Sequence, residues 1–268
     1  IATLQGITEW LPISSSAHVL LASDTFGVTG RDELLINAVS NLGTLAAMLI
    51  YFRKDVGLAI LGGFELLAAP VSKKPLSQGG RLAACVIVAT PIALIAALLY
   101  EAVLPQNLQD MMRSVYTVAG ATIFFGALLW WADVAGPRTR KEEDMTLAHA
   151  ALIGATQAIA AIIPGTSRSG ITMTAGRALG LGRSESARFS MLMSIPVIAA
   201  FALLSIIELM AETGTTTQLH DGLIVAGLSF ISALGAIALL MRLVERVGFL
   251  PFVIYRIALG VGLLVWLA

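Results

Sequence analysis

Residues 5–18 read QGITEWLPISSSAH, and they interrupt the first apolar segment of the chain, residues 1–23. A second apolar segment, residues 147–180, is interrupted in the same way by PGTSRSG at residues 164–170. The pieces beside each interruption are too short to cross a bilayer, which takes about 20 apolar residues. Irregular backbone at membrane depth is tolerated only where protein or a wet cavity surrounds it. We therefore predict two re-entrant helix pairs, with one kinked spanning helix per segment as the alternative.

The composition of the chain also indicates a membrane protein. Of its 268 residues, 57% are apolar and 13% are charged, and the mean hydropathy is +0.86. Soluble domains carry about 25% charged residues. The formal net charge is zero, so the composition gives no sign of a nucleic-acid partner.

Six uninterrupted apolar segments are long enough to span a bilayer. They are residues 34–52, 82–104, 115–135, 187–210, 222–243 and 250–268. Residues 54–81 contain lysines, prolines and glycines, which predict an interfacial helix followed by a loop. The charged stretch 136–146 predicts a solvated loop that divides the chain into residues 1–135 and 145–268. The predicted fold is an all-α polytopic membrane protein with six spanning helices and two re-entrant pairs.

The two interrupted segments resemble each other. With an offset of 152 residues, Gln5 matches Gln157, Pro12 matches Pro164, and a pair of hydroxyl residues follows each proline. Each half of the chain then contains one re-entrant pair and three spans. Because three is odd, the second half enters the membrane with the opposite orientation, which predicts an inverted-topology repeat with a site near the midplane. Chance similarity between two apolar helices is the alternative.

The distribution of basic residues predicts the orientation. The loops around 53–81, 136–146, 181–188 and 242–248 carry most of the arginines and lysines, whereas Arg31 and Arg113 lie on the other side. Positive charge marks the cytoplasmic side of a membrane protein. The first broken pair therefore enters from outside and the second from the cytoplasm.

The two interruptions carry the side chains that predict an anion site. Each leads into a new half-helix, whose N-terminus offers unpaired N–H groups and a partial positive charge. Arg168 adds a planar fork suited to phosphate oxygens. We predict that the remaining small and hydroxyl residues contact the same anion: Ser14, Ser15, Ser16, Thr166, Ser167, Ser169 and Gly170. Helix capping is the alternative for Ser14, Ser15 and Ser16.

Charged residues at this depth need a reason, because an arginine at the centre of a membrane helix costs roughly 2.5–3.5 kcal/mol on insertion scales. We predict that Glu9, Arg168 and His18 share one polar pocket. A structural ion pair is the alternative for Glu9 and Arg168, and a bond to a backbone carbonyl is the alternative for His18. Arg256 interrupts the last apolar segment, and we interpret it as a second phosphate clamp or as a side chain that reaches to the interface.

These residues resemble the bacterial undecaprenyl-diphosphate phosphatase family, which is also known for bacitracin resistance. The resemblance covers nearly the whole chain and is strongest at QGITEWLPISSSAH, PGTSRSG and FLPFVIYR, residues 249–256. It implies a phosphatase that recycles the C55 lipid carrier of cell-wall synthesis in the inner membrane, with its site open to the periplasm. It implies the catalytic residues Glu9, Ser15, His18 and Arg168.

The resemblance also implies a divalent cation, Mg²⁺ or Ca²⁺, held by Glu9 and Gln5. Gln5 stands where some members have glutamate, so the metal would depend more heavily on Glu9. The expected partners are the polyprenyl diphosphate and the bilayer, and the sequence leaves a homodimer open.

Two questions stay open at this point. The first concerns the nucleophile: either Ser15 attacks the phosphorus directly, or a metal-activated water attacks while Ser15 acts as a ligand or hydrogen-bond donor. Hydrolysis also has a rival in transport, because inverted repeats with broken helices are typical of transporters, and a flippase would move the lipid without needing Ser15. A scaffold that binds anionic lipid is a third reading, but it gives no reason for Glu9 beside a phosphate site.

Overall fold

The computed structural model describes residues 1–27, 30–72, 75–211 and 219–267, and within these ranges the backbone contains helices and turns but no β-strand. The helices of the first half are α1 (Ala2–Trp10), α2 (Ser15–Phe26), α3 (Gly30–Tyr51), α4 (Arg53–Ser72), α5 (Gln78–Val103), α6 (Gln106–Met112) and α7 (Val115–Ala135). A 3₁₀ helix, Glu142–Asp144, precedes α8 (Leu147–Ile162), α9 (Arg168–Ala178), α10 (Arg183–Ala211), α11 (Leu219–Arg246) and α12 (Leu250–Leu267). The predicted all-α fold is confirmed.

The six segments predicted to span the membrane lie almost entirely within helices. Four helices of the described chain are long and apolar enough to cross a membrane: α5, α7, α10 and α11. Helices α3 and α4 qualify only as one bent span. The apolar part of α12, Leu250–Val265, is shorter than the four spanning helices. The protein is therefore a polytopic membrane protein with four such spans, or five if the bent pair is counted.

Helix α4 confirms the helix expected at the start of residues 54–81. It meets α3 at an angle of 89°, so α4 runs along the membrane plane if α3 crosses it. Its apolar side chains are not covered by protein, because Leu61, Phe64 and Leu67 are 68%, 67% and 79% exposed. A helix at a bilayer surface places such side chains in the acyl region. Of the expected loop, residues 73 and 74 lie outside the described chain, and α5 begins at Gln78.

Both predicted interruptions are present in the structure. The first lies between α1 and α2, the second lies between α8 and α9, and the two halves of each segment pack against each other. The halves contain 9, 12, 16 and 11 residues. At a rise of about 1.5 Å per residue, none of them covers a hydrocarbon core about 30 Å thick.

The backbone turns sharply just before each second half-helix. Ser14 has φ 73° and Ser167 has φ 68°, in the left-handed region that side chains other than glycine rarely adopt. The second interruption has one more residue than the first, and it contains Gly165 with φ 89°. The residue before the new helix is thus Ser14 in one break and Ser167 in the other. The alignment by sequence had paired Ser15 with Ser167, one position away.

The two halves of the chain exchange their first helices. Helix α1 packs along α11 of the second half, and α8 packs along α5 of the first half. Both contacts depend on a glycine: a Cβ on Gly6 would lie 2.6 Å from the Ser229 carbonyl oxygen, and a Cβ on Gly154 would lie 2.4 Å from that of Ala89. Small residues allow this close approach of helix backbones in membranes.

Ion pairs anchor the charged loop 136–146 and the ends of the neighbouring helices. Asp133 accepts from Arg177 at 3.2 Å and from Arg183 at 2.7 Å. Arg188 pairs with Asp55 and lies 3.4 Å from Glu142. Most of this loop is exposed, as predicted, but Glu142 is partly covered by its neighbours.

The partial burial of Glu142 predicts a pH-dependent stability. Burial raises the pKa of Glu142 to about 7 from its usual 4.5, although Arg188 opposes the shift. Between these values the folded protein holds a proton that the unfolded chain has released. The free energy of unfolding therefore falls as the pH rises across this window and levels off above about 7. We expect Glu142→Gln to remove this contribution, so that its unfolding temperature in detergent exceeds that of the wild type increasingly from pH 4.5 to 7.

Glu143→Gln, at the exposed neighbouring position, serves as the control for removing one negative charge from the loop. Parallel curves for Glu142→Gln and the wild type over this pH range would contradict the assignment.

Candidate active site at the junction of two broken helices

The two interruptions meet inside the protein. Ser169 at the start of α9 donates to the carbonyl oxygen of Leu11 in the first break at 3.0 Å. Arg168 Nη2 donates to Glu9 Oε1 at 2.8 Å, across 159 positions of sequence. The side chains of Arg168 and Glu9 are 17% and 15% exposed, so the pair lies at the edge of an accessible space. The predicted juxtaposition of Glu9 and Arg168 is thus present in the structure.

The environment of Arg168 holds its guanidinium in place without occupying all of its donors. The carbon at the centre of the guanidinium lies 6.0 Å from the ring centroid of Trp10, a distance at which a cation is attracted to the ring face. Nη1 reaches the carbonyl oxygen of Ser194 only at 3.5 Å, the limit of a hydrogen bond. A bound anion could therefore take over the Nη1 donor at little loss.

The second break forms a capped helix start beside Arg168. Ser167 Oγ accepts from the backbone N–H of Gly170 at 3.2 Å, and the hydroxyls of Ser167 and Ser169 lie 3.3 Å apart. Ser167 therefore caps α9 and its hydroxyl contacts that of Ser169, while the contact of both serines with an anion stays a prediction. Thr166 is fully buried, and its hydroxyl oxygen makes no hydrogen bond in the described part of the chain.

The first break places its serines at different depths. Ser14 is fully buried in the left-handed turn, whereas Ser15 is partly exposed as the first residue of α2. The side chain of Ser16 lies outside the described residues. Of the three hydroxyls predicted to act here, only Ser15 thus has a described side chain that is open to a ligand.

His18 uses both ring nitrogens for contacts within the protein. Nδ1 lies 2.7 Å from the carbonyl oxygen of Ser14, and Nε2 lies 2.6 Å from the hydroxyl oxygen of Tyr255. A carbonyl can only accept, so Nδ1 carries the proton and Nε2 of the neutral ring accepts from the Tyr255 hydroxyl. The rings of His18 and Tyr255 are stacked, with an interplanar angle of 9°. His18 therefore contacts the carbonyl of the Ser14 turn, as its alternative expected, and its catalytic role stays a prediction.

Arg256 connects the two breaks from α12. Its side chain is fully buried, so it does not reach to the membrane interface. Its guanidinium donates to four backbone carbonyls, those of Pro12 at 3.3 Å, Thr122 at 3.0 Å, Gly165 at 3.0 Å and Thr166 at 2.9 Å. Oxygens freed by both helix interruptions are satisfied by this one side chain.

Gly170 makes room for Arg256. A Cβ on Gly170 would lie 2.7 Å from Arg256 Nη1 and 3.2 Å from Ser167 Cβ. The glycine therefore serves the packing of the arginine as well as the approach of the loop backbone to the site.

Gln5 and Glu9 are one helical turn apart on α1, so they project from the same face. Gln5 donates from Nε2 to Asn41 Oδ1 at 3.0 Å, and its own Oε1 is buried without a hydrogen bond in the described chain. No group of three or more histidine, cysteine, aspartate or glutamate residues converges among the described residues. A carboxylate and an amide oxygen suit Mg²⁺ or Ca²⁺ when substrate oxygens and water complete the coordination, so these residues fit such an ion.

Sequence reasoning missed three side chains that support the site, Trp10, Asn41 and Tyr255. Trp10 and Tyr255 stand next to Glu9 and Arg256 in the chain, which is the signal that could have drawn attention to them. Asn41 lies within an apolar helix, where an amide side chain is expensive and needs a partner.

The fold and the site define a polytopic helical membrane protein with a polar centre where two broken helices meet. The family described as Bacitracin resistance protein BacA matches residues 1–262, so the chain belongs to that family. The undecaprenyl-diphosphatase of Hyphomonas neptunium is 62% identical over 266 residues, which cover 98% of this chain and 93% of that protein. Those of Maricaulis maris and Hahella chejuensis are 51% and 45% identical, covering 99% and 100% of this chain and 96% of each relative.

The bonds of Arg256 predict a large loss of stability when it is truncated. Arg256→Ala leaves buried carbonyls without donors, which costs on the order of 3 kcal/mol or more. We expect a markedly lower unfolding temperature of the purified protein in detergent. Arg246→Ala, an exposed position at the end of α11, should unfold close to the wild type. Equal unfolding temperatures for the two variants would show that Arg256 does not hold the breaks together.

Proposed function

We propose that the protein hydrolyses undecaprenyl diphosphate to undecaprenyl phosphate and inorganic phosphate. This reaction recycles the lipid carrier of cell-wall synthesis and accounts for resistance to bacitracin. The relatives are undecaprenyl-diphosphatases, which supports the substrate, and the contact between Arg168 and Glu9 at 2.8 Å supports the chemistry. This contact brings the guanidinium of Arg168, which can bind an anion, next to the carboxylate of Glu9. Both residues adjoin the breaks from which α2 and α9 begin.

We assign residues 1–135 and 145–268 to two repeats of inverted topology. Helices α3, α5 and α7 would be the spans of the first repeat, and α10, α11 and α12 those of the second. The exchange of α1 and α8 between halves supports this assignment, because the same packing occurs twice with the halves swapped. The matching left-handed residues Ser14 and Ser167 support it as well.

The charge distribution supports a bacterial inner-membrane location with the site open to the periplasm. The loops expected in the cytoplasm carry Arg183 and Arg188, which form ion pairs. Arg113 precedes α7 and would lie on the other side of the membrane. The substrate's terminal phosphate is therefore exposed on the side where cell-wall units are polymerised.

The terminal phosphoryl group would bind between the two breaks. Arg168 gives up part of its contact with Glu9 and donates to the phosphoryl oxygens. The first N–H groups of α2 and α9 have no partners within their helices and favour the same negative charge. These donors also stabilise the charge that develops on the equatorial oxygens, which is most of what phosphoryl transfer requires.

A divalent cation, held by Glu9 and Gln5, would offset the charge of the diphosphate. The chain's own residues supply the rest of the site. Gln5 is held in place by Asn41, so its free oxygen keeps a fixed direction.

Ser15 is the nucleophile in this proposal. Its hydroxyl oxygen forms a bond to the terminal phosphorus while the bridging oxygen leaves with the lipid monophosphate. Glu9 or His18 takes the hydroxyl proton, and water later hydrolyses the phosphoserine to release inorganic phosphate. Glu9 Oε1 carries the contact with Arg168, so Oε2 is the oxygen open to the cation or to the proton. His18 would have to give up its bond to Tyr255 to act.

Arg168→Ala should lower phosphate release from C55 diphosphate by roughly 10²–10³-fold, because an oriented donor to the transition state is lost. Arg168→Lys should recover only a fraction of the rate, since an ammonium group cannot form the two-pronged contact. The assay uses purified protein in detergent with and without a chelator, and Lys141→Ala in the exposed loop is the control. Near-normal release by Arg168→Ala would contradict the site, and lipid movement without release by the wild type would favour a transporter.

Trapping of the terminal phosphate distinguishes the two nucleophiles. With label in that phosphate, acid quenching early in turnover should leave label on the wild type but none on Ser15→Ala, whose turnover should also be lost. Thr139→Ala, in the exposed charged loop, controls for the loss of a hydroxyl. Ser15→Ala with near-normal turnover would exclude the covalent route and leave water as the nucleophile.

A further inference from the structure

A cavity of about 240 Å³ lies between α5, α8 and α10, and Arg168 forms part of its wall. The cavity therefore borders the candidate active site. Much of the remaining wall is formed by small or apolar side chains, including Ala97, Ala160 and Phe201. At this size it is smaller than the roughly 300–1,000 Å³ of a pocket for a complete drug-sized ligand.

Two residues on the wall of this cavity each have a buried polar atom without a hydrogen-bond partner among the described residues. Tyr100 is 7% exposed and Gln157 is 1% exposed, and neither the hydroxyl of Tyr100 nor Oε1 of Gln157 makes a hydrogen bond in the described chain. Gln157 is held from its other end by a bond from Nε2 to the carbonyl oxygen of Ala89. Buried polar groups are almost always paired, so these two atoms point to a polar ligand in the cavity.

Arg113 supplies a positive charge at the same cavity. It follows α6, is exposed, and makes no side-chain ion pair or hydrogen bond among the described residues. The cavity thus has two guanidinium groups on its wall, Arg113 and Arg168. An anionic phosphoryl group next to the terminal phosphate fits this arrangement, because Arg113 and the Tyr100 hydroxyl are both donors.

We propose that this cavity binds the second phosphoryl group of the substrate, the one that stays on the lipid, together with the first part of the prenyl chain. Arg113 and Tyr100 donate to its oxygens, Gln157 accepts from a water bound there, and the alanines line the path of the chain. The proposal rests on the function proposed above and adds three substrate-binding residues to it: Tyr100, Arg113 and Gln157. Terminal and retained phosphates then occupy different subsites, with Arg168 between them.

Measuring the binding of each of the two reaction products distinguishes these subsites. Prenyl monophosphate keeps the retained phosphoryl group, whereas inorganic phosphate corresponds to the terminal one. Titration calorimetry on the purified protein should show that Tyr100→Phe and Arg113→Gln each weaken the binding of prenyl monophosphate by about tenfold, the loss of one hydrogen bond to a charged group. The affinity for inorganic phosphate should change by less than about twofold.

Matched controls remove the same groups elsewhere. Tyr116→Phe on α7 and Arg138→Gln in the charged loop are exposed and should bind prenyl monophosphate like the wild type. Unchanged binding of prenyl monophosphate by both cavity variants would overturn the subsite. Parallel losses for both products would overturn it as well, because the variants would then act on the whole site.

The measurement does not depend on turnover. Failure of the wild type to release phosphate would refute the proposed reaction, whereas an active wild type whose cavity variants keep full affinity would refute only the subsite. Tyr100→Phe removes a single oxygen and Arg113 is exposed, so both variants should fold; their unfolding temperatures check this.

Discussion

Two helices end in the middle of an apolar protein, and the carbonyl groups freed there cannot be left without donors. No water replaces a missing partner in the hydrocarbon region, and each unsatisfied group costs several kcal/mol. Arg256 supplies the donors for both breaks at once, from a helix at the far end of the sequence. These bonds tie the first break to the second, as does the bond from Ser169 to the Leu11 carbonyl, and the contact between Glu9 and Arg168 joins the same two segments.

The same constraint explains the residues around the turns. Ser14 and Ser167 hold left-handed conformations that cost of order 1 kcal/mol or more each and persist only where the surroundings fix them. His18 fixes the first turn through the Ser14 carbonyl, and the hydroxyl of Ser167 caps the helix that follows the second. Each turn immediately precedes the start of a half-helix, whose first N–H groups have no partners within the helix.

Much of the fold and of the candidate site could be predicted from the sequence. The features that could not be predicted depend on tertiary packing, which the sequence pattern does not show. Apolar length and interruptions locate the helices and both breaks, and the cost of a charge at depth predicts that Glu9 and Arg168 meet. The partners of Arg256 could not be predicted, because carbonyls look the same in every sequence and only the packing of α12 decides which ones it reaches. The additional residue of the second break, near Gly165, was missed for a similar reason. Similarity between two sequences does not show at which residue the following helix begins.

Three arginines inside this protein differ in the groups that accept their hydrogen bonds. This difference distinguishes arginines that hold the fold together from one that is suited to bind a ligand. Arg177 and Arg256 are fully buried, and backbone carbonyls take most of their hydrogen bonds. A ligand could bind them only by breaking several bonds to the main chain. Arg168 instead holds one carboxylate and one distant carbonyl, and it remains partly exposed. A phosphate would have to displace fewer bonds here than at Arg177 or Arg256, so of these three arginines Arg168 is the one whose bonding best suits the proposed role in substrate binding.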